Sequence, residues 1–94
     1  MTTTLHIEHA ITDFPTWRSA FDRFADARER AGVRQHRVLR PVDDDRYIVI
    51  ELDFDTPAAA DAFRTFLHTQ VWSSPGSAPA LVGTPATRIL TLAE

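Results

Sequence analysis

Ninety-four residues suffice for one domain, here 1–94, whose core covers only about 60–65% of the unfolded surface, so a second copy would add useful burial. An apolar share of 44% and a charged share of 24% exclude a disordered chain. The net charge of −3, with ten basic residues interleaved among thirteen acids, excludes the basic stripe that nucleic acid requires, and the absence of cysteine excludes disulfides, thiolate zinc sites and a cysteine nucleophile.

All ten basic residues are arginine. The opening MTTTLHIEH has no basic region followed by an apolar run, so no signal peptide is expected. No stretch approaches the roughly 20 apolar residues of a membrane span. The expectation is a soluble, cytoplasmic protein that engages neither membrane nor nucleic acid.

Residues 4–11 alternate, with Leu5, Ile7, His9 and Ile11 on one face and Thr4, His6, Glu8 and Ala10 on the other, as in a half-buried strand. Asp13 then stands as an N-cap with Pro15 in the first turn, where its missing N–H costs nothing. Phe14, Trp17, Phe21 and Phe24 follow at steps of three and four, joined more weakly by Ala25, Arg28 and Ala31. This spacing predicts an amphipathic helix closed by Gly32 at C′. Arg18–Asp22 and Asp26–Arg30 are expected as i,i+4 pairs on its outer face.

A second strand is predicted over 33–42, with Val33, Gln35, Arg37 and Leu39 opposed to Arg34, His36, Val38 and Arg40. After the acidic turn Asp43–Asp45, residues 46–54 form a third, turning Ile48, Ile50, Leu52 and Phe54 to one side and Tyr47, Val49, Glu51 and Asp53 to the other. Thr56-Pro57 opens a second helix with Ala59, Ala62, Phe63, Phe66, Leu67 and Val71 on its apolar stripe. That helix is expected to end before Ser73-Ser74-Pro75. Residues 75–85 read as a loop, and 88–92 as a short last strand.

The order β-α-β-β-α-β, with right-handed crossovers, places both helices on one side of a four-stranded antiparallel sheet of order 4-1-3-2, a ferredoxin-like α+β sandwich. The Ile48–Phe54 set then faces the helices. The other face carries Tyr47, Val49, Ala10 and Val38 or Leu39 beside His6, Glu8, Glu51 and an arginine. It covers roughly 400 Å². A half-apolar face of that size marks an interface, and a second copy stacked by two-fold symmetry is the simplest occupant, so a homodimer through the open sheet face is expected.

The run His9-Ala10-Ile11-Thr12-Asp13-Phe14-Pro15-Thr16-Trp17-Arg18-Ser19-Ala20-Phe21-Asp22 resembles the opening of small dimeric α/β-barrel proteins near the antibiotic-biosynthesis-monooxygenase-like group. Gly32-Val33, then His36-Arg37-Val38-Leu39-Arg40 before an Asp-rich turn, and Ile50-Glu51-Leu52-Asp53-Phe54-Asp55 before an Ala-rich helix, extend the resemblance over almost the whole chain. It implies a dimeric α/β barrel. Among proteins of that fold are cofactor-independent oxygenases of aromatic polyketides, haem-degrading enzymes, muconolactone-type isomerases and ligand-sensing domains, so fold alone does not select an activity.

His6 and His9 point to opposite faces of one strand and cannot share a metal, and no other ligand spacing is present, so no metal is expected. With only three glycines there is no phosphate-cradling loop, and no cofactor is expected; haem is the weakest alternative. His9 either holds the strand-to-helix corner or acts as a general base at a pocket mouth. Trp17 is a core residue or a pocket wall, and Trp72 packs under the following loop or lines a cavity beneath it. His9, His36, Tyr47 and Glu51 are the candidate acid–base groups, and Trp17 and Trp72 the candidate ligand-binding walls. Two functions fit: a cofactor-independent monooxygenase or cyclase-like enzyme acting on a small aromatic or polyketide-type molecule, or a non-catalytic ligand-binding or assembly module.

Overall fold

The computed structural model describes residues 2–93. β1 (Thr3–Ile11) is followed by α1 (Phe14–Arg23), α2 (Ala25–Ala31), β2 (Gln35–Leu39), β3 (Tyr47–Phe54), α3 (Pro57–Phe66), a π-helical turn (Leu67–Val71) and β4 (Leu81–Thr91). The strands form one antiparallel sheet of order β2-β3-β1-β4, the expected ferredoxin-like arrangement, with the helices on one face.

Local chemistry sets the starts of α1 and α3. Asp13 accepts from the Thr16 N–H at 2.8 Å and Thr56 from the Ala59 N–H at 3.1 Å, each beside a proline in the first turn. Gly32 ends α2 at φ 92°, a left-handed conformation that favours glycine. Odd-numbered residues of β1 are buried and even-numbered ones half-buried, as the alternation predicts. Leu5, Ile7, Ile11, Ile48, Ile50, Leu52 and Phe54 meet Trp17, Ala60 and Phe63 to form the core.

Five expectations are corrected. The first helix is not continuous: Phe24, at φ −100° and ψ 16°, separates α1 from α2 while the apolar spacing runs on across the break. Arg18 pairs with Asp22 at 3.2 Å, but among the described residues Asp26 and Arg30 form no pair. The second helix ends at Phe66 and widens into the π turn, closed by the Trp72 N–H donating to Leu67 O at 2.7 Å; along it Ala60 is buried and Ala62 exposed.

The largest correction concerns β4, which begins at Leu81 within the expected loop. Glu8 pairs with Ala86 and Ala10 with Val82, so His9 alone faces Gly83, Thr84 and Pro85. This bulge explains the loop-like residues. Gly83 takes φ 74°, and Pro85 sits where no ladder hydrogen bond is needed.

Candidate functional site

A cavity of about 80 Å³ lies between the helices and the sheet. Ile7, Ile50 and Leu52 form its floor, Trp17 and Phe21 of α1 one wall, and Leu67, Val71 and Trp72 another. The π turn carries Leu67 and Val71, and Trp72 caps it. Trp17 stacks between Phe14 at 5.8 Å and Phe21 at 4.8 Å, which fixes its ring as both core and wall. Trp72 meets His68 edge-on at 4.8 Å.

His9 enters the cavity from β1, directly beside the bulge, and is only 5% exposed. Its Nδ1 lies 2.9 Å from Ala10 O. A carbonyl only accepts, so Nδ1 carries the hydrogen and the lone pair resides on Nε2, which has no partner among the described residues. Burial holds the imidazole below its ordinary pKa of 6.5, more strongly than the Ala10 carbonyl raises it. The ring is therefore neutral at physiological pH, the state in which it can accept a proton.

The other acid–base candidates do not join it. His36 is on the helix side of β2 but exposed, edge-on to Phe21 at 5.4 Å, and outside the cavity lining. Burial, then the nearby Arg28 and Arg18 charges, lower its pKa. Tyr47 and Glu51 lie on the opposite face of the sheet, in register with Ala10 and His6. Four candidates thus occupy three environments.

Tyr47 and Glu51 instead belong to a continuous polar band. Tyr47 donates to Glu8 at 2.7 Å, and His6 lies between Glu8 (Nε2, 2.8 Å) and Glu51 (Nδ1, 3.2 Å). Arg37 donates to Glu51 at 3.0 Å and grips Asp53 with two nitrogens, at 3.0 and 2.9 Å; Thr4 also donates to Asp53, at 2.8 Å. Ionised carboxylates only accept, so both contacts are satisfied together only when each His6 nitrogen carries a hydrogen, which favours the imidazolium form. The Glu8 hydrogen bond, followed by that of Glu51, raises the His6 pKa against the opposing effect of burial. In return, His6 and then Tyr47 lower Glu8, Arg37 and then His6 lower Glu51, and Glu8 raises the Tyr47 phenol.

These shifts set a pH window. A raised His6 pKa contributes stability that is full below 6.5 and lost as pH rises through the folded value. Lowered Glu8 and Glu51 contribute stability that is full above 4.5 and lost as pH falls through their folded values. Both contributions coexist between those limits. An NMR titration of the imidazole protons should place the His6 midpoint above 6.5 and move it down in Glu8→Gln; a wild-type midpoint at or below 6.5 would contradict the clamp.

Arg28 was expected only as a weak member of the helix stripe. It is 8% exposed and lines the cavity beside Phe21 and Phe24. A charged residue four positions after Phe24 on an otherwise apolar stripe was the signal for it. Among the described residues no three His, Asp or Glu side chains are arranged to hold a metal ion, and no helix is long and apolar enough to cross a membrane.

The chain matches no protein-family model and no curated protein. It is similar in structure to SnoaB, a cofactor-independent oxygenase from Streptomyces nogalater, with TM-score 0.68 and 22% identity over 99% of this chain and 94% of that one. It is also similar to a protein of Nitrosomonas europaea, assigned only provisionally as an antibiotic biosynthesis monooxygenase, with TM-score 0.72 and 13% identity over 98% and 90% of the two chains. A dimeric ferredoxin-like protein from an uncultured marine organism gives TM-score 0.61 and 10% identity over 97% and 96%. At these identities the likeness establishes the fold.

Proposed function

We propose that this protein is a homodimeric, cofactor-independent oxygenase of a small aromatic or polyketide-type molecule, with His9 as its general base. The observation that carries the reading is the buried neutral imidazole, its Nε2 free of protein partners, on the wall of an apolar cavity flanked by Trp17 and Trp72. A base so placed can take a proton from an activated methylene or hydroxyl of an electron-rich ring. For an anthrone, the resulting carbanion reduces oxygen directly: the methylene carbon becomes a carbonyl and the second oxygen atom leaves as water. The substrate supplies every electron. The fold shared with SnoaB supports this chemistry by analogy.

Size constrains the substrate. A cavity of about 80 Å³ is smaller than the roughly 150 Å³ pocket that holds benzene, so a fused-ring molecule enters only if a wall moves. The least regular wall is the run of turns from Trp72 to Ala80.

Oxygen uptake with a panel of anthrones and quinols tests the reading, and no uptake across the panel would refute it. His9→Asn keeps a donor for Ala10 O but offers no base. It should lower turnover about 100-fold or more while the melting temperature moves by only a few degrees. Unchanged turnover would remove His9 from the chemistry.

The homodimer forms through the open sheet face. Leu39, Val82 and Leu90, three large apolar residues left exposed, lie there, since they pair with Val49, Ala10 and Thr4. Together with Val49 and Ala86 they flank the polar band. A second sheet with the same pattern, turned by two-fold symmetry, is the surface that matches it.

A further inference from the structure

We infer that the cavity selects an aromatic carboxylate and that Arg28 supplies the counter-charge. This rests on the cavity being the ligand site, as proposed above. Arg28 is the one arginine buried more than nine-tenths among the described residues. A buried guanidinium is costly unless an anion meets it. Arg18, Arg34, Arg37 and Arg64 are all less buried, yet each has a carboxylate partner. Arg28 has no carboxylate at ion-pair distance among the described residues: Asp22 acts on it only from further away and is itself paired with Arg18.

Its protein contacts explain its position but leave most of its donors free. Nη1 donates to Phe21 O at 2.6 Å, at the C-terminal end of α1 where a cation is favoured, and Cζ lies 3.7 Å from the Phe21 ring centre. That uses one of five guanidinium N–H groups. The other nitrogens are not sealed in: the one fully enclosed side-chain atom lacking a partner among the described residues is Thr3 Oγ1. Arg28 borders the cavity, and no acidic residue does.

The remaining lining is apolar apart from His9 and Ser77. In such surroundings a charge without a close counter-ion exerts a stronger field than it would in water. A planar carboxylate matches the guanidinium fork with two parallel hydrogen bonds, while the attached ring, which needs the same wall movement as any aromatic ligand of this cavity, meets Trp17, Phe21 and Trp72. A neutral aromatic would gain the packing and leave the charge unanswered.

The two tryptophans give two indole N–H signals, both reporting on the cavity. Labelled protein is titrated at neutral pH with benzoate and with benzamide, its uncharged near-isostere. Benzoate should bind about tenfold or more tightly than benzamide, with both moving the same indole signals. Arg28→Met, which keeps the apolar stem, should bring the ratio close to one with little change for benzamide, and Arg28→Lys should keep part of the preference. Equal binding in the wild type, or an undiminished preference in a folded Arg28→Met, would overturn the inference while leaving the cavity as a ligand site. The wild-type comparison decides the matter even if the variants do not fold. Failure of both probes to move either indole signal would overturn the cavity reading and this inference together.

Discussion

Phe54→Ala lowers the unfolding free energy by about 3–5 kcal/mol, the cost of deleting a buried aromatic ring and leaving a void. Phe54 is 1% exposed, lies at the end of β3 opposite Thr3, and meets the Phe63 ring of α3 at 5.9 Å. A domain of this size has about 5–15 kcal/mol in all, so the variant melts lower by something on the order of 15–30 °C. Urea unfolding with an unchanged slope is the measurement. Phe14→Ala is the control: that ring is half-buried and stacks on Trp17 at one edge of the core, so its loss costs about 1 kcal/mol. Equal costs at the two positions would contradict the packing described for the helix layer.

Val49→Asp should convert the proposed dimer into a monomer without unfolding it. Val49 is half-buried at the middle of β3 on the open face, between Glu8 of β1 and Leu39 of β2. In a monomer its side chain reaches water, so an aspartate there is tolerated. In a two-fold dimer each copy buries an unpaired carboxylate near Glu8, at several kcal/mol per copy. The symmetric penalty of about 6 kcal/mol or more weakens association by at least about four orders of magnitude. Light scattering should give twice the 10.6 kDa chain mass for the wild type and a single chain for the variant, with Val49→Thr staying dimeric. A wild type that is monomeric at micromolar concentration would refute the assembly.

The legible parts of the fold were those set by neighbouring residues. The alternation of β1, the caps at Asp13 and Thr56 and the left-handed stop at Gly32 each depend on chemistry within a few positions, and each forms as read. β4 was misread because Gly83 and Pro85 usually punctuate a loop, whereas here they make a bulge held by pairing with β1 more than 70 residues away. The break at Phe24 and the π turn at Leu67–Val71 leave the apolar spacing intact, so periodicity could not reveal them.

The candidate site was half legible for a related reason. His9, Trp17 and Trp72 converge on one cavity. Tyr47 and Glu51 were grouped with His9 by chemical type, although the alternation of β3 already assigned them to the other face. Whether His36 borders the cavity depends on how α1 and α2 lie across the sheet edge, which no strand pattern encodes. Arg28 was visible as an odd member of a stripe, but that no carboxylate reaches ion-pair distance of it among the described residues is a matter of tertiary arrangement.

The bulge in β4 also bears on how such chains can diverge. Three residues oppose one, a surplus of two, and two is the repeat of a strand. Leu81 before the bulge and Thr87 and Ile89 after it therefore all turn toward the helices, while Val82, Ala86, Arg88 and Leu90 all turn away. Removing or adding a pair of residues at Gly83–Pro85 would leave every other side chain of β4 on its present face. A change of one would invert half the strand and exchange Ile89 for charged Arg88 in the interior. Length variation at this point should thus come in even steps, letting evolution resize the wall beside His9 without rebuilding the sheet.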